Sequence, residues 1–253
     1  MSGPSPDFWT TLPLGRGVEL IKHDPNGLAS FAKPAGVLSH PNEPGEEPRA
    51  LLTVPYVFEG EYFQWLGGDG TQRRLWLLNR LDAATSGVIL AAGNEELAIE
   101  VRAQFRRKQV KKIYAALVFG GPAKTTELWR DMLAVEKRAG RIRTVVQAGS
   151  SPSETKMSVV RLGRGDPKLS LIKLEPVTGR SHQLRVQCAK RHLSIVGDQT
   201  YGDFGRNRAF AKASGVKRLC LHSYETSFSY DWRDRTYEFA TRAEMPPEFT
   251  RDR

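Results

Sequence analysis

A chain of 253 residues with 38 lysines and arginines against 28 carboxylates carries a formal charge of +10. Its 40% hydrophobic and 26% charged residues suit a folded soluble protein, long enough for one large domain or two small ones. No apolar run reaches transmembrane length, and the opening MSGPSPDFWTTLPLG lacks the basic and apolar regions of a secretory signal, so the cytoplasm is the expected location.

Cys188 and Cys220 sit in hydrophobic contexts and are expected to be buried free thiols. Neither has the spacing of a zinc ligand and the five histidines are scattered, so no metal or cofactor is expected. The positive excess favours a polyanionic partner, with nucleic acid first. Tyr114, Tyr201, Phe204 and Phe210, interleaved with the charge, point the same way.

In chain order, residues 1–16, with Pro4, Pro6 and Pro13, read as a loose arm, and 17–253 as one domain that could comprise two lobes. Residues 17–21 and 28–32 read as strands around the Asp24-Pro25-Asn26-Gly27 turn. A Pro/Gly element, Lys33-Pro34-Ala35-Gly36 through His40, follows, then a polar loop over 41–50. Residues 56–76 place a Gly-Gly-Asp-Gly turn between aromatic segments, suggesting a hairpin of no evident function.

The centre of the chain is Leu77–Ala92. Here Arg80, Asp82, Thr85, Ser86 and Gly87 stand in a loop before the apolar run Val88-Ile89-Leu90, which reads as a buried strand. Loops on rigid flanks often carry catalytic groups. On these residues alone the better reading is a turn whose Asp and Ser cap backbone groups.

Asn94–Gln109 carries the marks of a helix: an asparagine cap, acidic residues in the first turn and cations in the last. Residues 112–118 read as a strand. Residues 120–168 are polar and hold two or three strands, with 144–146 and 156–162 the best candidates. Residues 168–174 alternate as a half-buried strand. The Thr178-Gly179-Arg180 turn offers amides and a guanidinium to a phosphate or sugar. Ser181–Ala189 suits a helix with Leu184 and Cys188 on its apolar side and His182, Gln183 and Arg185 on other faces.

Residues 79–87, NRLDAATSG, resemble the HRLDxxTSG signature of the RluA-type pseudouridine synthases, with Asn79 where the histidine is usual. Lys33–His40 resembles the family's KPxG…H element, Lys112-Ile113-Tyr114 its K-x-Y element, and residues 178–185 its TGRxHQxR element. Residues 193–202 and 219–223 continue the match. The resemblance implies an α+β fold with a mostly antiparallel sheet, flanking helices and a central cleft. It further implies Asp82 as the catalytic carboxylate, Arg185 as its ionic partner and Tyr114 against the uracil. RNA contacts fall to Arg80, Thr85, Lys112, Arg180, His182 and Gln183. Arg80 holds the RNA while the base is turned out of its stack.

The expected activity is isomerisation of uridine in ribosomal or transfer RNA, without cofactor, by a monomer lacking the family's extra N-terminal RNA-binding module. Asp82 could attack C1′ or remove the C2′ proton. Asn79 is expected to turn a cationic phosphate contact into a neutral one. The alternative is a non-catalytic RNA-binding or RNA-folding protein on the same scaffold.

Overall fold

The computed structural model describes residues 6–138 and 141–250. It divides into two compact units, residues 1–110 with 225–244, and residues 111–224 with 245–253.

The first unit opens on α1 (Pro6–Thr10), which corrects the loose arm expected there; the arm's residues 1–5 lie outside the described residues. The helix is held by aromatic packing that local composition does not announce. Trp9 stacks on His23 with ring centres 5.1 Å apart, and Phe8 packs against Trp65. Strands β1 (Glu19–His23) and β2 (Leu28–Lys33) form the hairpin expected around Asp24. Asp24 Oδ1 accepts from the N–H groups of Asn26 and Leu28 and so closes the turn.

Next come β3 (Tyr56–Val57), β4 (Tyr62–Leu66) and β5 (Gln72–Leu77), which confirm a hairpin over 56–76. Strand β6 (Ser86–Ala92) is buried at all seven positions, as its unbroken apolar run requires. It pairs antiparallel with β2 from Leu28↔Ala92 to Lys33↔Gly87, and with the end of β5. Helix α2 (Glu95–Arg106) is capped by Asn94, whose Oδ1 accepts from Leu97 N at 2.8 Å. It stops before Gln109, where Lys108 takes a left-handed φ of 60°. Its Leu97, Ala98 and Val101 join Leu28, Val88 and Leu90 in the core.

In the second unit, β7 (Lys111–Phe119), β8 (Thr126–Arg138), β9 (Arg141–Val146), β10 (Ser151–Arg161) and β11 (Leu169–Pro176) form an antiparallel sheet. Its order is β7-β11-β10-β8-β9. Helices α3 (Gln183–Lys190) and α4 (Phe204–Ser214) follow. Strand β12 (Leu221–Trp232) begins in this unit and continues into the first, where it forms a hairpin with β13 (Arg235–Arg242). There β13 is tied to the first hairpin by Ser30 Oγ···Thr241 Oγ1 at 2.8 Å and Lys22 Nζ→Ala240 O at 2.7 Å. A single turn, α5 (Pro247–Thr250), ends the described chain within the second unit. The fold is thus α+β with mostly antiparallel sheets. No helix among the described residues is long and apolar enough to cross a membrane.

Candidate active site

In the first unit the loop between β5 and β6 is fixed from below by the Lys33–His40 element. Lys33 is a buried lysine, and its ammonium is satisfied by three carbonyls, Pro34 O at 3.0 Å, Val37 O at 2.6 Å and Ala83 O at 3.1 Å. Gly36 N donates to the same Ala83 oxygen at 2.7 Å. Gly36 has a φ of +92°, which a residue without Cβ adopts freely. Ser39 Oγ donates to Leu81 O and accepts from Leu81 N, at 2.7 and 2.9 Å. Two turns far apart in sequence are therefore clamped on either side of Asp82. Asp82 is half-buried, and its carbonyl accepts from Thr85 N at 3.0 Å. Thr85 itself is buried in this turn, whereas Arg80 is exposed and lies 3.9 Å from Glu61.

Asn79 does not face outward as a phosphate ligand would. Its Oδ1 accepts from Leu90 N at 2.8 Å, joining the loop to β6. A histidine Nδ1 stands at the same distance from its Cα and can accept the same N–H. Asparagine at this position therefore preserves a backbone contact that either residue could make.

In the second unit, Tyr114 lies on β7 opposite Leu174 of β11. Two residues earlier, the Lys112 ammonium reaches the Thr178-Gly179-Arg180 turn; a Cβ placed on Gly179 would lie 3.7 Å from it. Burial lowers the Lys112 pKa. Arg180 and Gly179 are exposed beside it.

The turn is set by a chain of amides and hydroxyls. Gln183 Oε1 accepts from Thr178 Oγ1 at 2.8 Å and from Arg180 N at 3.1 Å. Its Nε2 donates to Thr155 Oγ1 at 2.9 Å, Thr155 donates to Gln187 Oε1 at 2.7 Å, and Gln187 Nε2 donates to Asp131 at 2.9 Å. Asp131 is further held by Lys190 and Arg191, whose contacts outweigh burial and lower its pKa. Gln183 is thus buried with both ends of its amide engaged inside the chain.

The helix after the turn starts at Gln183 rather than Ser181, because His182 has a left-handed φ of 53°. The expected division of its faces does not hold either: every residue from Gln183 to Cys188 is buried. Arg185 forms a two-pronged ion pair with Asp198, Nε to Oδ2 at 2.9 Å and a terminal nitrogen to Oδ1 at 2.8 Å. Burial alone would raise the Asp198 pKa, but Arg185 and the N–H groups of Thr200 and Tyr201 lower it overall. The Arg185 guanidinium lies 5.2 Å from the Tyr201 ring centre. The Tyr201 hydroxyl accepts from Thr144 N at 2.8 Å and meets His182 Nδ1 at 2.8 Å.

Sequence reasoning passed over Lys33, Ser39, Asp131, Gln187 and Asp198. Lys33, Ser39 and Asp198 stand within the family-like motifs, and Asp198 had a signal in its Gly-Asp-x-x-Tyr-Gly setting. Asp131 had none. Among the described residues no three His, Cys, Asp or Glu side chains gather as a metal site would require.

A fold of this kind, with a clamped aspartate loop and a TGR turn, is that of the pseudouridine synthases. A solved structure of human RNA Pseudouridylate Synthase Domain Containing 1 superposes with a TM-score of 0.67 at 22% identity, covering 92% of this chain and 86% of that one. Residues 28–190 match the RNA pseudouridylate synthase family, and the chain belongs to it; its members are isomerases acting on RNA.

Among relatives, tRNA pseudouridine synthase C of Pasteurella multocida is 31% identical over 223 residues, 84% of this chain and 86% of that protein. Ribosomal large subunit pseudouridine synthase C of Vibrio vulnificus is 32% identical over 166 residues, 66% of this chain. This match spans about half the ribosomal relative's length, 51%.

Proposed function

We propose that this chain converts specific uridines of transfer or ribosomal RNA to pseudouridine, with Asp82 as the catalytic carboxylate. The observation that carries the proposal is the construction of the Asp82 loop. Lys33, Gly36 and Ser39 spend their polar groups on its backbone, at Ala83 and Leu81, and so fix the turn that bears the carboxylate. Such a fixed group reacts without first being ordered.

The reaction breaks the C1′–N1 bond, turns the uracil and joins C1′ to C5; the C5 proton is lost to solvent and N1 takes one up. Asp82 serves either as nucleophile at C1′ or as base at C2′. The role of Arg185 as ionic partner of the catalytic carboxylate is carried over from the family's TGRxHQxR element. Tyr114 lies against the uracil, and Arg80 helps hold the RNA with the target base extruded. Lys112, Arg180 and His182 contact the backbone, while Thr85 and Gln183 support the turns that do so. The protein acts as a monomer in the cytoplasm.

The test uses transfer and ribosomal transcripts carrying tritium at uridine C5. Wild type is expected to release tritium to water and Asp82→Asn to release none. Affinity for the same RNA should fall steeply with salt. Tight binding without release from either RNA would favour the RNA-binding alternative, and equal release by Asp82→Asn would remove Asp82 from the chemistry.

A further inference from the structure

The aromatic segment at the start of 56–76 stands beside the Asp82 loop and has no part in the chemistry above. We propose that Phe58, held by His40 and Tyr56, is a stacking platform for one unpaired RNA base flanking the target uridine. It is then a specificity-determining residue; the inference rests on the isomerase reading.

Phe58 is a large apolar side chain left 51% exposed. It is nevertheless fixed in orientation. Its ring meets Tyr56 at 5.3 Å and 90°, and His40 at 5.7 Å and 86°. These two rings stack on one another at 4.6 Å and 9°, and Tyr56 packs against the fully buried Phe63 at 5.0 Å. His40 is held by Nδ1 against Pro41 O at 2.7 Å. A half-exposed ring anchored to the core loses little freedom when a base stacks on it.

The platform is joined to the proposed site by short links. Ser39, next to His40, makes the two hydrogen bonds to Leu81 that clamp the residue before Asp82. Glu61 N donates to Phe58 O at 3.3 Å, and the Glu61 carboxylate faces exposed Arg80 at 3.9 Å and Arg102 at 3.5 Å. An exposed aromatic ring joined through Glu61 to an exposed guanidinium, on a chain of charge +10, has the chemistry of a single-stranded RNA contact. The ring stacks on the base and Arg80 meets a phosphate, which favours RNA over an apolar protein partner.

The experiment measures tritium release and direct binding with the same transfer and ribosomal transcripts. Base–aromatic stacking predicts that Phe58→Ala raises KM and Kd by about tenfold. Phe58→Tyr is expected within about twofold of wild type. Phe58→Leu, which keeps apolar bulk without a ring, should behave as Phe58→Ala. Leu66→Ala, at an exposed position on β4, serves as the control and should change neither value. Replacing flanking nucleotides one at a time by abasic residues should then locate one position where wild type weakens and Phe58→Ala weakens no further.

Unchanged KM and Kd in Phe58→Ala, failure of Phe58→Tyr to restore them, or additive losses at every abasic position would each overturn the platform. If wild type releases no tritium, the isomerase reading fails, and the binding arms alone decide the platform. A partner protein displaced by Phe58→Ala, with RNA binding intact, would likewise overturn it.

Discussion

Removing the Asp198 carboxylate should destabilise the second unit far more than removing a surface charge. Asp198 is 1% exposed and Arg185 8%, and the pair is joined at 2.8 and 2.9 Å. Oδ1 also accepts from Thr200 N at 2.8 Å and Tyr201 N at 3.0 Å. Asp198→Ala removes both prongs of a buried ion pair and the acceptor of two N–H groups, at about 3–5 kcal/mol for breaking such a pair. Asp198→Asn keeps an acceptor for the two N–H groups but loses the charge, at about 1–3 kcal/mol. For a chain of this size, where each kcal/mol moves Tm by roughly 2–4 °C, Asp198→Ala should melt about 6–20 °C lower by calorimetry. If the lost pair is the cause, the double variant Arg185→Leu/Asp198→Leu should lose less than the sum of the two single variants. Melting within about 2 °C of wild type, or simple addition of the two single losses, would refute the reasoning.

Asp131 and Asp198 both have lowered pKa values in the folded state. As pH falls below the unfolded value of about 3.9, the unfolded chain takes up these protons first. Their contribution to stability is therefore complete above that value and is lost as pH falls through the lower folded one. Urea titrations from pH 6 to 2.5 should show a fall in stability that flattens in Asp131→Asn. Asn79→Ala leaves Leu90 N without its acceptor and should cost about 1–3 kcal/mol, whereas Asn79→His should retain most of the stability. Equal losses in urea melts would show that the side-chain acceptor is unimportant. Lys112→Met removes a half-buried charge and should preserve Tm. If Lys112 meets one phosphate, the slope of log K against log salt should become shallower by about 0.7–0.9, and an unchanged slope would exclude that contact.

What local sequence made legible was whatever local geometry decides. The Asp24 turn, the Asn94 cap and the apolar run of β6 each depend on neighbours within a few residues. Strand β8 was submerged in a polar stretch for a specific reason. Its inward positions are Trp129, Asp131 and Leu133, so a carboxylate interrupts the buried face; Val135 lies exposed further along that same face and Leu128 lies exposed on the other. The usual alternation of apolar and polar residues is therefore broken on both faces. Helix α4 was hidden because only Asn207 and Phe210 of its residues are buried, too few to mark a face. The arm at 6–10 folds because Trp9 and Phe8 meet His23 and Trp65, partners supplied by tertiary packing.

The candidate site divides along the same line. Asp82 and Arg185 stand out because the motifs that carry them are short and dense, but motif membership does not separate a ligand contact from a scaffold contact. Gln183 and Thr85 belong to those motifs and are buried, with Gln183 fixing the Thr178–Arg180 turn from within. Lys33, a residue type usually assigned to solvent or phosphate, instead gathers three carbonyls beneath the Asp82 loop. Its partner carbonyls span Pro34 to Ala83, so its role is set by a turn fifty residues away and invisible to any local window. The same distinction explains Asn79. Read as a surface ligand, it is a substitution that changes RNA binding; read as the acceptor for Leu90 N, it is a substitution that conserves the loop. The stability of Asn79→His against that of Asn79→Ala separates these two meanings without any RNA present. A histidine that restores the melt would show that the position serves the backbone first.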